Sequence, residues 1–457
     1  MKIIHVLPSS GDQFYCENCV RDNALLRALV AEKADVVALP LYLPQSLVQA
    51  PGAEDSPIFF GGINSWLQQK SAIFRHTPRW IDRLLDSRLL LNLAAKRAGS
   101  ARATDLGDMT LSMLQGRSGH QKKELDRMLA WLDGIGKPDV VHVSNTLLLG
   151  LGHEIKERLG VPIVCSLQDE DTWLDAMHPE DAERCWSAIA ERAGSVDAFL
   201  AVSRYYGDQM RERIGFDQDR LHVVPVGIDP DEFETSPLPY DPPVLGFLSR
   251  MGEEQGLGVL VDAFLLLRQR PGLERLRLSV AGGSTADDRK FLKRVRKKLA
   301  AAGALEDARF EDGMLPETRR RFLKELTVLS VPTPKGTAFG TYVLEAAAAG
   351  VPVVQPRIGS YPELVGATAG GCLYDPKHPG DAETLADTLG RLLEDRDRLR
   401  DLGRGGRASV EGDLHSRMMA RAVLDLYGSF VDSTLSDPES PKNPARSTPQ
   451  TVEGSSS

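Results

Sequence analysis

A carboxylate at Glu345 follows a loop that carries Gly336 and Gly340, within the stretch PTPKGTAFGTYVLEAAAAGVPVVQPRIGSYP at 332–362. Glycine lets a backbone approach a ligand closely. The segment 342–349 reads as a short helix, ended by Gly350 in the usual C-terminal position with Pro352 just beyond. The first N–H groups of a helix have no partners inside it and sit at the positive end of its dipole. Phe339, Gly340 and Thr341 therefore frame a site for phosphate or carboxylate. Glu345, one turn in, cannot bind phosphate, but it can accept hydrogen bonds from sugar hydroxyls beside one. Phosphate next to a polyol describes a nucleotide sugar. The same residues also fit an ordinary strand–helix unit of a doubly wound sheet, in which the glycines only close turns.

Arg250 closes another apolar run, at 244–249. A guanidinium there can hold a diphosphate, being always charged and often bidentate; a plain surface arginine is the competing reading. Asp169-Glu170-Asp171 follows a further apolar run. Such an acidic pair can hold a divalent cation, but hydroxyl recognition or acid/base assistance is the favoured role. Cys16 and Cys19 form a C-x-x-C with no second pair at finger-like spacing, so a structural use is favoured over zinc or redox chemistry.

The elements that must position these groups fall into two series of strand–helix units. Apolar runs at 2–8, 36–41, 140–143, 163–167, 198–202 and 222–226 alternate with helical patterns such as 17–31, 147–159 and 204–214. After a Pro- and Asp-rich linker, 229–243, come strands at 244–249, 276–281, 328–332 and 351–355 with helices at 259–268, 289–299, 382–393 and 418–431. This alternation predicts an α/β fold of two Rossmann-like doubly wound domains facing across a cleft. The expected division is a first domain at 1–228, a linker at 229–243, a second domain at 244–410, a closing helix at 411–432 and a disordered tail at 433–457. An insertion at about 51–131 breaks the first series and is basic over 70–102, with Lys70, Arg75, Arg79, Arg83, Arg88, Lys96, Arg97 and Arg102 against Asp82 and Asp86. It reads either as helices with a solvated cationic face or as a surface for an anionic acceptor or an acidic membrane.

The chain of 457 residues has a net charge of −9, which argues against non-specific nucleic-acid binding. No apolar run approaches the roughly 18 residues of a membrane helix, and five unevenly spaced cysteines make no disulfide framework. A cytoplasmic enzyme is expected, in peripheral contact with the inner face of the membrane if the basic stretch docks there.

Three pieces resemble the family 4 glycosyltransferases, which have the GT-B fold: GFLSRMGEEQG with Arg250 and Gly256, HVVPVGIDPDEF at 222–233, and FGTYVLEAAAAGVPVV followed by Gly359 and Pro362-Glu363-Leu364. With the N-terminal strand and Gly11 the resemblance covers about residues 1–430, and the first half looks like an uncharacterised bacterial branch. The resemblance implies a nucleotide-diphosphate sugar donor held by the second domain, an acceptor held by the first, and retention at the anomeric carbon. It gives Arg250 the donor diphosphate, Glu345 the nucleotide ribose as second glutamate of the E-x7-E motif, and the Gly11 loop a place near the donor phosphates. The chain departs from the family pattern at three points. Thr337 stands where the first glutamate would be and Gln255 where a lysine accompanies the arginine, while Ser144 and Gln168 occupy places where a histidine is often found.

The expected activity is hexosyl transfer to a glycan, lipid-linked or small-molecule acceptor, with no cofactor and no metal. A nucleotide-sugar epimerase and a non-catalytic binding protein are the alternatives. Candidate catalytic groups are Arg250, Thr337 and Asp171; candidate donor contacts are Gly11, Arg250, Gln255, Phe339, Gly340, Thr341 and Glu345. Asn145, Gln168, Asp169 and Asp171 are the candidates for reading acceptor hydroxyls.

Overall fold

The computed structural model describes residues 1–8, 17–41, 59–60, 69, 103–285, 287–312 and 315–435. Gly11, Cys16, the basic stretch 70–102 and the chain beyond 435 lie outside them.

The unbroken apolar runs form strands. β1 (Lys2–Leu7), β2 (Asp35–Pro40), β3 (Val140–Val143), β4 (Ile163–Leu167), β5 (Ala198–Ala201) and β6 (Leu221–Val223) make one sheet in the order β2-β1-β3-β4-β5-β6. β7 (Val244–Leu248), β8 (Arg277–Gly282), β9 (Ala308–Asp312), β10 (Val328–Leu329), β11 (Val353–Pro356) and β12 (Gly371–Tyr374) make the second, ordered β12-β11-β10-β7-β8-β9. Every pairing is parallel. Parallel strands need cover on both faces, hence the wholly buried β3, β4, β5 and β11. These are two Rossmann-like units.

The strand order places the site. In the second sheet the chain runs outward from β7 to β9 and returns on the other side of β7 as β10. The loops after β7 and β10 therefore diverge at a switch point, where such sheets bind ligands. They meet closely: a Cβ on Gly256, at φ +80, would lie 2.0 Å from Pro332 O. In the first sheet the equivalent point is between β1 and β3, which puts Ser144 and Asn145 at the mouth.

Some elements differ from the sequence reading. The helix expected at 147–159 begins as a tight turn, Thr146–Leu148, before Leu149–Leu159. β10 is shorter than 328–332, because the Val331 N–H goes to the Gln355 side chain, Oε1 at 3.2 Å, rather than to the backbone of a neighbouring strand. The closing helix Ser416–Leu435 crosses back to the first sheet, where Tyr427 Oη meets His142 Nδ1 at 2.6 Å and Arg421 Nε donates to Glu32 at 3.1 Å.

Candidate active site

The helix Thr341–Ala348 is buried along its whole length, and its small, apolar sequence TYVLEAAA permits that close packing. No side chain caps it at Gly340, whose φ of 128° suits glycine alone. The loop before it is braced from two sides. Ser360 Oγ donates to Phe339 O at 2.9 Å, and Ser203 Oγ, from the first domain, donates to Ala338 O at 2.7 Å. Thr337 is half-buried and its carbonyl accepts from Ser360 N at 3.2 Å.

Glu345 is fully buried. Its Oε1 accepts from the Arg319 guanidinium, and its Oε2 has no hydrogen-bond partner. Burial pushes the carboxyl above its usual range, and Arg319 works against that shift. Arg250 is half-exposed and already engaged. Its Nη2 and Nε donate to Asp288 at 3.0 and 3.3 Å, and its Nη1 pairs with Glu254 at 3.0 Å. Burial opposes the charge on Asp288, but bonds from Arg250 and Thr285 hold its carboxyl below the usual range. Gln255 sits in the turn Glu253–Gln255, and its Oε1 accepts from Ser249 Oγ at 3.3 Å.

On the opposite side, Asn145 is buried and caps its own turn by accepting from Leu147 N at 3.1 Å. Gln168 is built into the wall. Its Nε2 donates to Asp22 Oδ1 at 3.1 Å and to the Ser144 carbonyl, and its Oε1 is buried without a partner. The sequence reading of Gln168 as an acceptor contact is thus narrowed to that oxygen, since the amide nitrogen is already committed. Asp169 sits at φ 65 and accepts from Thr172 Oγ1 at 3.1 Å. Both Asp171 oxygens are engaged, by Tyr206 Oη at 3.0 Å and Gln209 Nε2 at 2.9 Å.

The structure adds residues that the sequence reading missed. Glu170 is buried and locks the mouth, accepting from Thr146 N at 3.0 Å, Gln168 N at 2.7 Å and Tyr206 Oη at 2.9 Å. Asp22, raised to about 6 by burial, accepts from Ser144 Oγ and so anchors Gln168. Glu363 spans the cleft and accepts from Arg204 N at 2.8 Å and Tyr205 N at 2.7 Å, the first turn of Arg204–Ile214. The Pro362-Glu363 pair was a visible signal; no local pattern marks Asp22 or Arg319.

At the switch point of the second sheet Arg250 follows β7, the loop after β10 leads into a helix that no side chain caps at Gly340, and Glu345 in that helix has an unpartnered Oε2. The family model described as "Glycosyl transferases group 1" matches residues 242–395, and "Glycosyltransferase Family 4" matches 111–232. A D-inositol 3-phosphate glycosyltransferase of Xylanimonas cellulosilytica is 30% identical over 352 residues, 72% of this chain and 80% of that protein. The protein of the same description from Nocardia farcinica is 29% identical over 65% of this chain and 67% of its own length. Among solved structures, the sucrose-phosphate synthase of Thermosynechococcus elongatus superposes with a TM-score of 0.68 at 17% identity, covering 95% of this chain and all of that one. Anabaena HepE in complex with UDP gives 0.65 at 15% identity, covering 94% and 100%.

Proposed function

Because the chain belongs to the family 4 glycosyltransferases and has their GT-B fold, we propose that it transfers a hexosyl group from a nucleoside-diphosphate sugar to a hydroxyl acceptor, with retention. The observations that carry this reading are the meeting at one switch point of the loop that bears Arg250 with the loop leading to the helix start at Gly340, which no side chain caps, and a carboxylate one turn in, Glu345, whose Oε2 has no partner. The first supports a diphosphate and the second a ribose diol. UDP in the Anabaena neighbour makes uridine the first base to test.

When the glycosidic bond breaks, negative charge grows on the diphosphate. Arg250 and the helix N–H groups meet that charge without rearranging, the kind of electrostatic work that contributes most in such sites. The incoming phosphate displaces Glu254 from the guanidinium, while Asp288 keeps its hold. Thr337, in the loop before that helix, offers a hydroxyl to the sugar. The acceptor approaches from the Asn145, Asp169 and Asp171 side, and Asp171, held by Tyr206 and Gln209, orients a hydroxyl. Gln168 offers only Oε1. The contacts of Ser203 and Glu363 across the cleft limit water access and hence donor hydrolysis. No protein nucleophile is invoked.

Donor use is tested with UDP-, GDP- and ADP-hexoses. A ligand at 100 times its dissociation constant stabilises by about 2.7 kcal/mol, and the active donor is then followed by release of its nucleotide and by the anomeric proton of the product. The acceptor panel holds a small phosphorylated polyol, an oligosaccharide and a lipid-linked sugar. No thermal shift with any nucleotide would sink the reading. Peripheral contact with acidic lipid is proposed on the cations at 70–102 and is read by co-sedimentation with anionic against neutral vesicles.

A further inference from the structure

Arg319 comes from a helix that carries no conventional site signature. The segment Pro316–Lys324, PETRRRFLK, presents Arg320 and Arg321 outward, yet its Arg319 is buried. That side chain ends on Glu345 Oε1, and the pair is shielded from water on both sides, with side-chain exposures of 8% and 0%. Burying an ion pair removes hydration from both charges and stabilises little by comparison with apolar residues of the same size. The arrangement therefore calls for a use of the carboxylate, and its second oxygen supplies one: Oε2 is buried and unpartnered.

We propose that Arg319 is a positioning residue for nucleoside recognition: by fixing Oε1 it favours the carboxylate form of Glu345 and turns Oε2 toward the two hydroxyls of the donor ribose. The inference rests on the proposed reading of Glu345 as the ribose contact. Two hydroxyls need an acceptor with lone pairs to spare, which a carboxylate has and a protonated carboxyl has less of. The neighbouring charges do not substitute for Arg319. Arg320 is turned to Glu232 at 3.3 Å, and Glu232 is also held by Arg27 at 3.1 Å. Arg407, from the helix Arg396–Glu411, donates to backbone carbonyls of Pro230 and Phe233 at 2.9 and 3.0 Å. Glu363, on Tyr361–Thr368, faces the Arg204 and Tyr205 N–H groups. Of these groups, only Arg319 bonds the carboxylate. Burial already pushes Glu345 upward, so without the guanidinium it protonates at a higher pH.

The test titrates UDP and 2′,3′-dideoxy-UDP into the parent and into Arg319→Met, Arg319→Lys and Glu345→Gln between pH 6 and 9. The parent should bind UDP with little pH dependence. Arg319→Met should lose about tenfold or more in UDP affinity near pH 6, the scale of a lost bond to a charged group, and regain it as rising pH ionises Glu345. Arg319→Lys should restore binding near pH 6 in large part, and the dideoxy nucleotide should bind the parent and Arg319→Met alike. A pH-independent loss in Arg319→Met, or equal losses for both nucleotides, overturns the proposal. Unchanged UDP binding in Glu345→Gln overturns the ribose reading itself; a weakened Glu345→Gln beside an unaffected Arg319→Met overturns only the role of Arg319. If Arg319→Met does not fold, Arg319→Gln removes the charge while keeping a donor for Oε1, and the same outcomes apply.

Discussion

Arg250 meets its ligand from a state of competition. Asp288 is nearly buried, fixed by Thr285, and grips two guanidinium nitrogens; Glu254 is half-exposed and takes the third. The first carboxylate orients Arg250, and the second is a rival that phosphate must displace. Gln255 supplies no second cation to tip the balance, and its Oε1 accepts from Ser249. Glu254→Gln should therefore tighten UDP binding by up to about 1 kcal/mol, the range for a solvent-screened pair, whereas Asp288→Asn should weaken it. Calorimetry on the two variants checks this, and a looser Glu254→Gln would contradict it. At this scale the sequence showed what a residue could do but not what it was already doing. Arg250 and Glu345 were legible from their places beside strand and glycine loop. Their partners Asp288 and Arg319 were not, because both come from charged helical segments whose periodicity says only that one face is wet.

The elements were legible where a strand is buried on both faces, since IVCSL and AFLA are apolar or small throughout and VVHV is interrupted by a single histidine. They were hidden where charge interrupts the run. β9, ARFED, is an edge strand and keeps charged residues, and Tyr361–Thr368 carries a proline, Pro362, at its second position that reads first as a turn. That second helix carries the clearest link between the domains. Glu363 caps Arg204–Ile214 from across the cleft, next to Ser203, which accepts from Tyr206 N at 3.2 Å and donates to Ala338 O. A helix cap contributes about 1 kcal/mol, enough to bias a domain equilibrium several-fold. Glu363→Ala should raise the radius of gyration of the nucleotide-free protein in small-angle scattering, with little change in melting temperature. An unchanged scattering profile would show that other contacts hold the domains.

The whole molecule is tied together beneath the first sheet. His5 and His142 stack at 4.3 Å in register on β1 and β3, and the closing helix bonds that stack through Tyr427. Burial, with help from Arg21, drives His5 down to about 3 and His142 well below its usual value. Below pH 6.5 the unfolded chain takes up protons that the folded one refuses, so stability is lost as pH falls toward 3. Asp22 acts in the opposite sense. Burial raises it to about 6, so between its usual value and 6 the folded state holds the extra proton and stability falls as pH rises. The histidine effect is the larger, about 4–5 kcal/mol for His5 alone against about 3 kcal/mol for Asp22. The melting temperature should therefore drop between pH 6.5 and 4, and His5→Leu should flatten that drop. Parallel profiles for parent and variant would remove His5 from the account.

The central claim is that one cleft holds a diphosphate at Arg250 and a ribose at Glu345. Calorimetric titration of UDP and of uridine into the parent, Arg250→Ala and Glu345→Gln separates the two contacts. Arg250→Ala should lose about 1.5–3 kcal/mol for UDP and almost nothing for uridine, while Glu345→Gln should weaken both ligands by similar amounts. UDP affinity unchanged in both folded variants would contradict the assignment of the donor site.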